Sequence, residues 1–221
     1  DEAQALGLKV CAGIWLHHER DTEGFDYSDP KMVAEQLEEV RQSVLRFRNH
    51  PALLLWGLGN EMEGETGEKA EIWKAVQEAA KLTKQLDTNH PTMTVIAEIG
   101  GQKVDGIHKY CPDIDIIGIN TYGGGPTVGE RYAKSKGTKP YIITEFGPVG
   151  PWETTKTSWG AAHEQTSTEK AAWYSKTYEG SILNKVQCLG SYAFLWGYKQ
   201  ETTATWFGMF LKDGTKLQAV D

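Results

Sequence analysis

Short apolar runs alternate with longer amphipathic stretches along this chain. The runs are KVCAGIWL (9–16), ALLLWGLG (52–59), TMTVIA (92–97), IDIIGIN (114–120), PYIITEFG (140–147) and CLGSYAFLW (188–196). Each is nearly continuous in apolar or β-branched residues, the pattern of strands buried on both faces. Between them the period changes to that of a helix. Val33, Leu37, Val40, Val44 and Phe47 follow one another at steps of four and three, and Ile72, Val76, Ala79, Thr83 and Leu86 repeat the pattern. Asp29-Pro30 predicts a helix start, a capping residue followed by proline at the first helical position. Thr166 with Glu169 predicts a capping box ahead of a helix running to about Leu183. Shorter helices are expected near 102–110 and 127–136, and KDGTK (212–216) predicts a turn.

Strands that alternate with helices imply a parallel sheet with crossover connections. An open doubly wound sheet and a closed barrel both satisfy that rule. The glycines of YGGGP (122–126) lack the Gly-x-Gly-x-x-Gly spacing that opens a dinucleotide-binding helix, so the α/β pattern favours a (β/α)8 TIM barrel, with residues 1–221 as a single domain. Active residues then belong at the C-terminal ends of the strands.

Composition narrows the partners. The 221 residues are 39% hydrophobic and 24% charged, ordinary values for a soluble globular chain. No run reaches the roughly 18 apolar residues of a membrane span. The formal net charge of -7, with acids and bases interspersed, argues against nucleic acid, whose binders carry a basic patch or stripe. The basic run RQSVLRFR (41–48) reads as the solvated face of a helix. Cys11, Cys111 and Cys188 are scattered without metal spacing and read as free thiols. The chain opens in DEAQALGLK, without Met and without a signal-like segment, so its natural N-terminus is expected upstream.

The last residues of the apolar runs are polar: His17 and His18, Asn60 and Glu61, Glu98, Asn120 and Tyr122, Glu145, with Trp196 closing the last run. In a barrel these ends converge. Two carboxyl groups in one pocket are the equipment for cleaving a glycosidic bond, one as a proton donor and one as an ionised nucleophile. Adjacent histidines on a strand point to opposite faces, which makes His17-His18 a poor chelate; no metal and no cofactor is expected. Glu98 reads as a structural loop acid. Trp56, Trp73 and Trp173 lie inside strand or helix patterns and are expected in the core. Trp196, Trp152 and Trp206 are candidate platforms for the apolar face of a sugar.

WGLGNE (56–61) and ITEFG (143–147) resemble the acid/base and nucleophile motifs of the clan A glycoside hydrolases. The nearer likeness is to the TIM-barrel catalytic domain of glycoside hydrolase family 2. DEAQALGLKV (1–10), NHPALLLWGLGNE (49–61), DTNHPT (87–92) and TATWFGMFLKDGTK (203–216) are similar to segments of that family. The resemblance implies a retaining β-glycosidase acting by double displacement on a β-linked oligo- or polysaccharide. It implies Glu61 as general acid/base, Glu145 as nucleophile, Asn60 on the sugar 2-hydroxyl, Tyr122 beside Glu145, and Trp196 as the floor of the sugar site. His17 and His18 fall where the clan carries sugar-binding residues. By this likeness the six runs are strands three to eight. Strands one and two and the last helix are missing, and the barrel is incomplete. The rest of it is expected from a missing segment or from another chain. A transglycosylase acting on β-glucans and a catalytically inactive carbohydrate-binding barrel are the alternatives.

Overall fold

The computed structural model describes residues 1–19 and 24–221. It divides into two compact units, residues 1–118 with 137–140, and residues 119–136 with 141–221. Among the described residues there are six parallel strands, hydrogen-bonded in sequence order, with a helix between each pair of neighbours. The arrangement is α/β and supplies six of the eight strands of a TIM barrel.

The first unit begins with a single helical turn, α1 (Glu2–Ala5), and then β1 (Val10–Ile14). Helix α2 (Pro30–Phe47) starts where the sequence signals it: the Asp29 carboxylate accepts the Lys31 amide at 2.8 Å, and Pro30 occupies the first turn. Strand β2 (Leu53–Asn60) pairs with β1 in a register that matches Val10 to Leu53 and Ile14 to Leu58. Helix α3 (Ala70–Leu86) buries Ile72, Val76, Ala79 and Thr83 of the stripe its spacing predicts and leaves Leu86 half-buried. Strand β3 (Thr92–Ala97) places Val95 opposite Asn60. Helix α4 (Lys103–Tyr110) leads to β4 (Ile116–Thr121), whose second half belongs to the other unit. Trp56 and Trp73 are in the core at 0% and 1% exposure. The Trp56 indole donates to Asp87 Oδ2 at 2.9 Å, tying β2 to the turn after α3.

The second unit carries α5 (Gly125–Lys134), β5 (Tyr141–Phe146), α6 (Ser167–Thr177) and β6 (Cys188–Ser191). Both halves of the capping box at Thr166 and Glu169 form. The helical run reaches Ile182, close to the Leu183 its pattern suggests, but its last five residues, Tyr178–Ile182, widen to a π-helix, packed where Gly129 donates to Ser181 Oγ at 3.0 Å. Strands β2 to β5 are almost wholly buried, whereas β1 and β6 are largely exposed or half-buried. Each of the latter has one hydrogen-bonded neighbour, so the expectation of burial on both faces fails there. The run 188–196 is strand only as far as Ser191. In α2, the buried positions are Gln36, Val40 and Val44, and Phe47 is exposed.

Candidate active site

In the first unit the candidates follow β1 and β2. Asn60 is the last residue of β2 and Glu61 the first beyond it, both half-buried. The backbone here is bent into an unusual path. Gly59 has φ 76° and Glu61 φ 55°, a left-handed conformation that side-chain-bearing residues rarely adopt. Gly59 has no alternative, because a Cβ there would meet Met62 Sδ at 2.0 Å. Glu61 is held by its own amide, which donates to Val95 O at 2.9 Å and continues the ladder onto β3. Strain of this kind costs about 1–3 kcal/mol and persists only where the surroundings dictate it. Glu98, at the end of β3, shares the conformation with φ 58°.

Both histidines lie past the end of β1. His18 is buried, its ring stacked on Trp15 at 5.0 Å. His17 is half-buried, stacks on Phe25 at 4.9 Å and holds Nε2 3.7 Å from Glu39. Its backbone is fixed from both sides, by Gln36 Oε1 on the amide at 2.7 Å and by Tyr27 Oη on the carbonyl at 2.6 Å.

In the second unit the structure brings together Glu145, Tyr122 and Trp152. Glu145 sits near the end of β5, and Tyr122 Oη donates to its Oε2 at 2.6 Å. The Tyr122 ring is held edge-on by Trp152 at 5.4 Å and by Phe194 at 6.1 Å, and lies 5.2 Å from Phe207. Its carbonyl accepts from the Trp173 indole at 3.0 Å, which gives that half-buried residue a supporting task beyond core packing. Asn120, buried on β4, accepts a hydrogen bond from Thr144 Oγ1 at 2.7 Å.

The tryptophans divide. Trp152 and Trp196 are 63% and 72% exposed, so each retains open ring surface. Trp196 meets Phe210 edge-on at 4.9 Å. Trp206 does not fit the expectation of a platform in a surface loop. It is 1% exposed, and its indole donates to Val149 O at 3.0 Å, so the ring closes the base of the loop after β5.

Several supporting residues carried no motif. The Glu153 carboxylate accepts the amides of Gly123 at 2.8 Å and Gly150 at 2.9 Å, fixing the segments on either side of Tyr122 and Trp152. A Cβ on Gly123 would stand 2.7 Å from that carboxylate, so the close approach depends on glycine. Glu63 and Lys103 form a buried pair at 3.3 Å beside the end of β3. The one sequence signal for Glu63 was its place two residues after Glu61.

Residues 1–187 match the family model described as glycosyl hydrolases family 2, TIM barrel domain. A Formosa agariphila protein provisionally named a β-glucuronidase is 29% identical over 153 residues, which cover 64% of this chain and 12% of that protein. A β-galactosidase of Yersinia enterocolitica is 33% identical over 85 residues, 38% of this chain and 7% of the relative. The chain therefore spans a small part of the relatives it matches. Among solved structures, a β-D-glucuronidase of Dictyoglomus thermophilum aligns over 99% of this chain and 40% of its own, with a TM-score of 0.71 and 18% identity. A family 2 β-galacturonidase of Eisenbergiella tayi aligns over 99% of this chain and 40% of its own, at 0.69 and 14%. At such identities the structural likeness speaks for the fold alone.

Proposed function

The chain belongs to glycosyl hydrolase family 2, and on that premise we propose that it carries the catalytic machinery of a retaining β-glycosidase. The substrate is a β-linked oligo- or polysaccharide. Glu145 is the nucleophile that attacks the anomeric carbon. Glu61 gives its proton to the departing oxygen and then, as a carboxylate, takes one from the water that releases the sugar. Asn60 holds the 2-hydroxyl, a contact that strengthens as the ring flattens toward the transition state. Trp196 and Trp152 offer faces for the apolar side of sugar rings.

The observation that carries this reading is the 2.6 Å hydrogen bond from Tyr122 to Glu145 at the end of β5. A nucleophilic carboxylate must present one oxygen along a fixed line. A phenol anchored by Trp152, Phe194, Phe207 and Trp173 is a stiff donor for that purpose. The left-handed turn at Glu61 supports the second role, since strained backbone collects at sites where orientation matters more than stability.

Double displacement requires the two carboxyl groups about 5–5.5 Å apart across one sugar ring, and it delivers the product with the anomeric configuration of the substrate. The test is a screen of nitrophenyl β-galactosides, β-glucosides and β-glucuronides with the full-length protein, followed by proton NMR of the first-formed product. The β-anomer is expected first. First appearance of the α-anomer would rule out Glu145 as a nucleophile. Glu145→Gln is expected to abolish turnover. Glu61→Ala is expected to regain part of its activity with azide, which takes the place of the base-activated water. Saccharide binding without turnover by the wild-type protein would replace the enzyme reading with a binding barrel.

A further inference from the structure

We propose that Glu63, paired with Lys103, is a positioning residue that holds Glu61 in line with the leaving-group oxygen. The inference rests on the acid role proposed for Glu61.

The turn that presents Glu61 has two anchors on β3. One is the Glu61 amide on Val95 O at 2.9 Å. The other is Glu63, whose Oε1 accepts the Ala97 amide at 2.8 Å. Ala97 is the last residue of β3, where the ladder would otherwise leave that amide without a strand partner. Lys103 completes the arrangement: its ammonium donates to the Ala97 carbonyl and lies 3.3 Å from Glu63 Oε1. Both polar groups of the last β3 residue are thus engaged by one ion pair, and the segment after Glu61 is pinned on each side of the strained position.

The pair has a second line of attachment. The Gln102 amide donates to Thr66 O at 2.7 Å, and Lys103 packs so closely on Gly67 that a Cβ there would stand 2.7 Å from Lys103 Cγ. Residues 61–67 and 97–103 are therefore closed on each other along their length. Turning the backbone at Glu61 away from this path requires breaking this closure.

Stability alone does not account for the pair. Glu63 and Lys103 are each only 4% exposed. Removing two charges from water is expensive, and apolar residues of similar volume often serve as well or better. Glu63 Oε2 is buried and meets no hydrogen-bond donor among the described residues, a further cost. Burial pushes the Glu63 pKa up, while the amides of Glu63 and Ala97 and the Lys103 ammonium pull it back. What the carboxylate provides that an apolar side chain cannot is direction: one oxygen bound to one peptide, two residues from the proposed acid.

The test separates positioning from general support. Proton donation matters for a poor leaving group and hardly at all for a good one. Steady-state kcat/KM is compared on the phenyl and 2,4-dinitrophenyl β-glycosides of the sugar that the nitrophenyl screen selects, with the full-length protein. Glu63→Ala is expected to lose about 10–100-fold on the phenyl substrate and less than about threefold on the dinitrophenyl one, the scale on which misplacing a reacting group acts. Should that variant fail to fold, Glu63→Gln and Lys103→Met carry the test. Each keeps the volume while removing one charge, and each is expected to show the same leaving-group signature. The double variant Glu63→Gln/Lys103→Met, which leaves no unpaired charge, is expected to recover part of the loss. Equal factors on the two substrates, or no loss at all, would overturn the inference. Glu61→Ala is measured beside them. If it shows the signature and the Glu63 variants do not, only this inference falls. If it lacks the signature, the acid role of Glu61 falls first and takes this inference with it.

Discussion

At Glu145 one hydroxyl is the decisive neighbour. Tyr122 donates to it at 2.6 Å, and a hydrogen bond to a charged group is worth about 1.5–3 kcal/mol. Tyr122→Phe is therefore expected to lower kcat about 10–100-fold, with little change in the thermal midpoint, since the ring contacts survive. A loss confined to KM would assign the hydroxyl to substrate instead. Gly59 makes a second residue-scale case. Gly59→Ala combines a positive φ with a Cβ 2.0 Å from Met62 Sδ, and is expected to destabilise by about 2–4 kcal/mol in denaturant melts. Residues of this kind differ in how readable they are. Glu61 and Glu145 stand out because acids that end apolar runs break the pattern. Glu63 does not, because nothing local marks a carboxylate as buried, and most are exposed. Its partners, Ala97 and Lys103, are brought to it only by the pairing of β2 with β3. The burial of Trp206 is hidden from the sequence for the same reason. Its burial depends on Val149, in a distant loop.

Elements were legible in proportion to how much of their environment is local. The Asp29-Pro30 start of α2 and the capping box of α6 depend on side chains within three residues of the backbone they satisfy, and both form. The geometry at the end of α6 depends on tertiary contact: where Ser181 accepts from Gly129, the helix predicted to about Leu183 passes from α to π geometry after Thr177 and runs on to Ile182. Buried strands β2 to β5 match their apolar runs closely. Strands β1 and β6 carry the same composition without the same burial, because exposure follows the number of neighbours, which composition does not encode. The capping box gives this scale its prediction. Thr166 accepts the Glu169 amide at 3.3 Å, and Glu169 in return accepts the Thr166 amide at 2.8 Å. Thr166→Ala is expected to lower stability by about 0.5–2 kcal/mol in urea melts, and Thr166→Ser to retain most of it. The residue lies at the head of a helix that carries Trp173, the donor to the Tyr122 carbonyl, so a loosened α6 is also expected to raise the hydrogen-exchange rate of that indole.

For the molecule as a whole, the alternation of strand and helix carried the fold class, and the two acids in their motifs carried the family. The response of the whole chain to acid was not readable, because it depends on which carboxylates the fold buries beside donors. In the first unit burial works against ionisation of Asp87, but the Trp56 indole, the Asn89 amide and His90 outweigh it and hold the carboxyl below its ordinary 3.8. Asp115 is lowered in the same way, burial being overcome by Lys84 and Thr92. In the second unit burial of Glu164 is overcome by Lys170, Thr203 and Thr205, which hold it below 4.5. A carboxyl whose folded pKa lies below its unfolded value binds fewer protons in the native state. Its contribution is complete above the unfolded pKa and is lost as the pH falls through the folded one. Glu63 has the opposite sign: its pKa is raised, so its contribution is greatest in acid and fades as the pH rises. Asp26, Glu130, Glu169 and Asp213 at the surface are lowered as well, so among the described residues seven lowered carboxyls stand against one raised one and give a net loss of stability on acidification, beginning near pH 4.5 and steepening below 3.8. Urea midpoints measured from pH 3 to 7 are expected to fall on acidification through that window, and above it to show only the shallow opposite trend that Glu63 contributes as the pH rises. Asp87→Asn keeps an acceptor for the indole but removes the charge. It is expected to cost about 1–3 kcal/mol at pH 7 and to make the acid limb shallower, because a group that no longer titrates cannot contribute to the slope. An unchanged limb in Asp87→Asn would show that the Trp56–Asp87–His90 cluster plays no part in acid unfolding. The burden would then fall on Asp115 and Glu164, whose Asn and Gln variants are read by the same measurement.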